Sequence, residues 1–273
     1  MSIYPDSLGI HLSKNSLTFD QIENIKSSLP KNVIVRIFGF AGAGKGTLSQ
    51  ILSSYLSIPN VESSLIWRAA THIFEELTLP ITPKNGKLVF SKIQTTTGEG
   101  NTLNIVYDGI LLEKSVLKRS FIDEKVSIYS SVDFLREEFY DKLVSFLKSI
   151  SSSCILDGRG AYPRYIKDME ANGYNIIRIF LDARDDVKAE RYYLAKIGKL
   201  KLKNSNFVES ESEKIKIINE FKLAIVERNK NDWETWLRLN MGTLTEDTGV
   251  LDTSDLNEQE TAQTALAFIK SRI

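Results

Sequence analysis

Gly39-Phe40-Ala41-Gly42-Ala43-Gly44-Lys45-Gly46-Thr47 follows directly on the β-branched apolar run of residues 33–38, and that junction decides the fold. Glycine at 39, 42, 44 and 46 lets the backbone curl until successive N–H groups converge on one point, where an anion is the natural occupant. Leu48, Ile51, Leu52, Tyr55 and Leu56 then recur at helical spacing, so the loop opens a helix whose N-terminus adds partial positive charge. Lys45 supplies a full charge, in position to bridge the β- and γ-phosphates of a nucleotide. The Thr47 hydroxyl is placed for Mg²⁺ or one of its waters. The expected nucleotide cradle is therefore Gly39, Gly42, Ala43, Gly44, Lys45, Gly46 and Thr47.

Working outward, residues 154–156 ending in Asp157 and residues 176–181 ending in Asp182 read as further strands, with a short fourth at 250–251 and helical patterns between them. Strands alternating with helices predict an α/β protein of the P-loop NTPase class, a parallel sheet flanked by helices. In such a sheet ligands sit beyond the carboxyl ends of the strands. Residues 1–31 are polar and carry a helical pattern over 19–29, with Pro30 punctuating the chain before the first strong strand, which predicts an N-terminal extension ahead of the main domain over 32–273. Between 87 and 112, Leu88 and Phe90, then Leu103, Ile105 and Tyr107, predict a small hairpin inserted into that domain. Residues 198–213, rich in lysine and then in serine and glutamate, are expected to form a flap.

Composition narrows the function classes. The 35 basic and 35 acidic residues balance, so no overall positive field favours nucleic acid or a membrane surface, and an anionic ligand must be met by a local cluster. The lone cysteine, Cys154, rules out an intramolecular disulfide, and with two histidines it leaves little from which to build a zinc site. No stretch approaches the roughly 20 apolar residues of a membrane span. The expectation is a cytoplasmic monomer acting on small-molecule nucleotides, without nucleic-acid or membrane partners.

Gly46, where many phosphate loops carry serine or threonine, points to the nucleoside-monophosphate kinases. Read onward, the chain resembles bacterial cytidylate kinase over residues 33–272. The residues that carry the likeness are Ser63-Ser64-Leu65-Ile66-Trp67-Arg68-Ala69, then Lys118-Arg119-Ser120, Ser127 and Arg136. Leu156-Asp157-Gly158-Arg159 follows, then Lys188 and Arg191, Glu227-Arg228 with Asp232, and finally Leu251-Asp252-Thr253-Ser254. The resemblance implies ATP as phosphoryl donor with Mg²⁺, and CMP or dCMP as acceptor. It implies a monophosphate-binding lobe over about 80–135 and a lid over about 192–228. Ser63 would face the base, and Arg68, Ser127, Arg136, Arg159, Arg228 and Asp232 would hold the acceptor. Lys45, Asp157, Arg159, Arg191 and Arg228 would serve the chemistry.

Elementary electrostatics supports those roles. A kinase must bring two polyanions together, and Arg68, Arg136 and Arg159 arrive from separate segments to grip phosphate. Asp157, ending an apolar strand, is placed to anchor Mg²⁺ through water opposite the loop. No general base is needed, because a phosphate oxygen is already a nucleophile. Lid closure would bring Arg191 and Arg228 inward. Four positions differ from the family pattern: Ser64, Gly160, Tyr192 and Thr235. Gly160 stands where an aspartate reads the cytosine amino group. The base is therefore open to UMP or another small acceptor, and an ATP-binding module without turnover is the remaining alternative.

Overall fold

The computed structural model describes residues 9–99, 102–150, 152–158, 163–203, 210–238 and 244–273. Its centre is β2 (Val33–Gly39), buried along its whole length. Side chains alternate across a strand, and here the alternation separates two cores. Val33, Val35 and Ile37 face one side, packed with Leu48 and Leu52 of α2 (Lys45–Leu56). Ile34 faces the other, with Leu65 and Phe74 of α3 (Ser64–Glu76) and Phe139 of α7 (Asp133–Ser149). A strand covered on both faces must be apolar throughout, which is why 33–38 reads as an unbroken hydrophobic run.

Five further strands complete a parallel sheet: β1 (Ile10–His11), β3 (Asn60–Glu62), β7 (Cys154–Asp157), β8 (Asn175–Asp182) and β9 (Gly249–Asp252). Their order is β1-β9-β8-β2-β7-β3. The strands expected from sequence at 154–157, 176–182 and 250–251 are all present. β1 and β3 were not expected, being too short to show a period of their own.

Residues expected as an extension are docked into this fold. Ile10 N–H donates to Thr248 O at 2.7 Å, adding β1 to the edge of β9. α1 (Phe19–Ser28) begins at Thr18, whose hydroxyl accepts from Gln21 N–H while the Gln21 side chain accepts from Thr18 N–H, a reciprocal cap. Its Ile22 and Ile25 are buried with the α2 core.

The 87–112 region departs from expectation. Residues 83–92 form α4 (Pro83–Lys92), capped by Thr82, whose hydroxyl accepts from Asn85 N–H, with Pro83 opening the first turn. That capping fixes a helix despite the alternation of Leu88 and Phe90. The sheet of the inserted lobe starts only at β4 (Ile93–Thr97), followed by β5 (Leu103–Tyr107) and β6 (Ile110–Leu112), all antiparallel. Asp108 and Gly109, with φ of 46° and 81°, make the two-residue turn between the last two. Packed on α3, α6 (Ser120–Ser130) leads into α7.

Residues 198–203, expected within a flap, continue α9 (Asp185–Lys203), and α10 (Glu211–Arg238) packs back along it. Residues 204–209 of that expectation lie outside the described residues. The chain closes with α11 (Glu258–Lys270) over α2. Among the described residues no helix is long and apolar enough to cross a membrane.

Burial of α1 makes a direct test possible. Ile25→Ala should lower the unfolding free energy in urea by about 3 kcal/mol. Phe19→Ala, at a side chain 74% exposed on the same helix, should change it by less than about 0.5 kcal/mol.

Candidate active site

Parallel register brings the strand ends into line. Ile37 and Glu62 both pair with Asp157, Gly39 pairs with Leu181, and Asp182 pairs with Asp252. The phosphate loop leaves this edge pressed against β8: Gly39 has φ of 137°, and a Cβ there would lie 2.0 Å from Leu181 O. Only glycine can occupy that position. Phe40 N–H donates to Leu181 O at 3.2 Å and Ala43 N–H to Phe40 O at 3.3 Å. Gly42, with φ of 84°, passes so close to α9 that a Cβ would come within 2.9 Å of Lys188 Cβ. Gly44 caps α2 with left-handed backbone. Lys45 Nζ donates to Phe40 O at 2.7 Å, which folds the ammonium over the loop.

Asp157 faces the start of α2, with its Oδ2 3.8 Å from where a Cβ of Gly46 would lie. Burial pushes its carboxyl up to about 6; Lys45 opposes that shift, Glu62 adds to it, and Lys118 opposes it. Behind it stands Ser63, whose N–H and Oγ–H both donate to Asp157 O at 2.9 Å. Ser63 therefore ties the start of α3 to the end of β7, and its oxygen lone pairs remain able to accept. Glu62 and Lys118 form an ion pair at 2.9 Å beside this group, and Arg68 Nη1 donates to Leu117 O at 3.1 Å. The sequence reading passed over Glu62. Its only signal is its place as the last residue of a strand too short to recognise.

Thr47, exposed at the first turn of α2, and the Asp157 carboxylate are hard oxygen donors on either side of Gly46, a set that fits Mg²⁺. Among the described residues no group of three or more His, Cys, Asp or Glu is placed to hold a metal by itself. Mg²⁺ bound through one carboxylate, a hydroxyl, phosphates and water needs no such group.

On the other side of the loop, Arg191 Nη1 donates to Thr253 Oγ1 at 2.9 Å and Nη2 to Thr253 O at 2.8 Å, with Gly42 O 3.4 Å from Nη1. Burial lowers its pKa, while Asp252 and Glu258 act to raise it. A cleft of ≈ 440 Å³ opens here between the loop, α9 and the turn after β9, lined among others by Gly44, Thr47, Arg191, Tyr192, Thr253 and Leu256. Arg228 on α10 reaches it indirectly, donating from Nη1 to Tyr192 Oη at 3.4 Å. Asp232, one turn further along α10, is half-buried. Lys188 is buried and held by Asp182 at 3.0 Å and Asp185 at 2.8 Å, so this lysine supports the loop from below.

The structure thus gathers Lys45, Gly46, Thr47, Asp157 and Ser63 at one point, and Arg191 and Arg228 at the cleft beside it. Ser127 and Arg136 lie on α6 and α7. Ser127 is exposed on α6, its hydroxyl donating to Glu124 O at 3.4 Å. Arg136 is buried, with Nε and Nη2 donating to Ser130 O at 3.2 and 2.5 Å and Nη1 3.5 Å from Asp133 Oδ1. Arg159 and Gly160 lie outside the described residues.

The family model described as cytidylate kinase matches residues 35–271. The chain belongs to the cytidylate kinase family. A cytidylate kinase of Clostridium botulinum (strain Loch Maree / Type A3) is 27% identical over 241 residues, 88% of this chain and 98% of that one. One of Halalkalibacterium halodurans is 23% identical over 244 residues, 89% of this chain and 100% of that one. Among solved structures, a putative kinase from Chloroflexus aurantiacus is similar with TM-score 0.43 at 13% identity, covering 90% of this chain and 100% of that one. Shikimate kinase from Aquifex aeolicus is similar with TM-score 0.35 at 13% identity, covering 87% and 96%. As a member of the cytidylate kinase family the protein is a nucleoside-monophosphate kinase, and its substrates are nucleotides.

Asp157 gives the site a pH signature. Its carboxyl titrates near 6 in the folded state and near 3.9 when unfolded. The native state therefore binds the proton more tightly, and stability falls as pH rises from about 4 through 6. In metal-free buffer, Asp157→Asn should be more stable than the parent by about 3 kcal/mol at pH 7.5. The difference should shrink toward zero near pH 4, as read by chemical denaturation.

Proposed function

We propose that this family member transfers the γ-phosphoryl group of ATP to a pyrimidine nucleoside monophosphate, CMP or dCMP first, by in-line displacement. The observation that carries the proposal is the meeting of Lys45, Asp157 and Ser63 at the adjacent ends of β2, β7 and β3. Donor phosphates, a hard carboxylate and an acceptor-facing hydroxyl then share one small volume.

The loop from Gly39 to Thr47 holds the donor phosphates, and Lys45 leaves the Phe40 carbonyl for them, since a phosphate anion is the stronger acceptor. The same exchange applies to Arg68, which donates to Leu117 O, and to Arg136, which donates to Ser130 O and lies beside Asp133; with Arg159 they take the acceptor phosphate. Ser127 and Asp232 assist in seating that acceptor. Mg²⁺, when bound between Thr47 and Asp157, supplies charge neutralisation at the donor phosphates. Arg191 and Arg228 neutralise charge that spreads over the transferred group as α9 and α10 close. No base is required. Positioning and electrostatics account for the acceleration.

Gly160, in place of the amino-reading aspartate, removes the feature that would reject a carbonyl-bearing base, so UMP belongs in the substrate range. A single cysteine, balanced charge and small-molecule substrates support a cytoplasmic monomer acting without nucleic acid or membrane.

A coupled ADP-release assay over CMP, dCMP, UMP, dTMP, AMP and GMP should show turnover highest with CMP or dCMP and measurable with UMP. Lys45→Met should reduce it at least about 100-fold. Absence of turnover with every monophosphate would overturn the proposal. Gly160→Asp should raise the preference for CMP over UMP by about tenfold, and an unchanged ratio would remove Gly160 from the base site.

A further inference from the structure

A backbone N–H of the phosphate loop is met, in a buried contact, by a helix far away in sequence. Ala41 N–H donates to Asn229 Oδ1 at 3.2 Å, and Asn229, on α10, is only 2% exposed. The other end of the same amide, Nδ2, is buried among the described residues without a hydrogen-bond partner. The assignment of the two ends is forced, because a backbone N–H can only donate and must meet the oxygen.

α10 is clamped to the loop on the same stretch. Phe40 stacks on Trp236 with centroids 5.8 Å apart and an interplanar angle of 9°, and lies 6.3 Å from Trp233. Residues 229–236 of the returning lid helix are thereby joined to residues 40–41 of the loop. Arg228 sits one position before this clamp.

A buried donor left unpaired costs about 1–3 kcal/mol. An aspartate would accept the same bond from Ala41 and leave no orphan donor, yet it would place a negative charge beside a loop that receives polyanions. Leucine would match the volume but strand the Ala41 N–H. Asparagine is the neutral acceptor of that shape, and the idle Nδ2 is the consequence.

We infer that Asn229 is a positioning residue for phosphoryl transfer: from the lid helix it fixes the first turn of the phosphate loop through Ala41 N–H while keeping that turn uncharged. This rests on the reading of the loop as the ATP phosphate site. The probes are chosen to separate the two. Hydrogen exchange of residues 40–44 in the unliganded protein reports loop geometry alone. Tripolyphosphate, which carries no base, reports the loop's anion affinity, and MgATP is titrated in parallel.

In Asn229→Leu, exchange at 40–44 should quicken at least tenfold and tripolyphosphate should bind at least tenfold more weakly. Asn229→Asp should keep loop exchange within twofold of the parent yet lose at least tenfold in tripolyphosphate affinity, which splits shape from charge in a way a merely structural residue would not. Asn229→Leu with both readouts within twofold of the parent overturns the inference. So does Asn229→Asp with a loop as exposed as in the leucine variant, or with undiminished anion affinity. If the leucine variant does not fold, the aspartate variant decides alone by the same two readouts. A parent protein that binds tripolyphosphate but not MgATP sinks the ATP reading, and the variants still judge Asn229.

Discussion

Everything at this site depends on β2 being paired in parallel on both sides, with β8 along its full length and with β7 up to Asp157. A parallel sheet buried on both faces has its chemistry at one edge only, the carboxyl ends, where backbone groups leave the ladder. That single register sets Gly39 against Leu181 and Ile37 against Asp157. The phosphate loop and the carboxylate opposite it are therefore placed by hydrogen bonds of the core rather than by the loops themselves. A core held together by two separate apolar clusters, one on each face of β2, makes that edge rigid.

Charge is stored near this edge in a poised form. Asp157 is half-buried, its titration is pushed up to about 6, and the cations that act against that shift are Lys45, which donates to Phe40 O, and Lys118, which pairs with Glu62. Arg191 is clamped to Thr253 and the loop, so it already belongs to the cleft beside the loop. Arg228 reaches the same cleft through Tyr192, the residue that stands where the family resemblance places a second arginine. A phenol there conveys position rather than charge.

The region over about 192–228, expected from sequence as a lid, is consequently less separate than that expectation implies. α9 lies under Gly42, and α10 returns onto Phe40 and Ala41 through Trp233, Trp236 and Asn229. Aromatic stacking and a buried hydrogen bond hold these helices to the loop, and such contacts resist separation more than exposed ones do. The N-terminal segment shows the same pattern against β9 and α2, where polar composition concealed two buried isoleucines and a reciprocal cap.

The sequence by itself determined the fold class, the phosphate loop, the three long strands and the family, because each rests on local signals: glycine spacing, β-branched runs, a lysine at a set distance. It also named Asp157 and Ser63, which end or follow strands. Tertiary structure alone decided which of these groups meet. Glu62 joins the site only through its register with Asp157, and Thr253 only through Arg191. Asn229 reaches the loop across a sequence separation of 188 residues. It decided too that residues 83–92 are a helix within the inserted lobe, where capping by Thr82 outweighs an alternating pattern, and that α1 belongs to the core. Local periodicity records which face of an element is buried. It carries no record of which other face comes to cover it, and the site's remaining residues were chosen there.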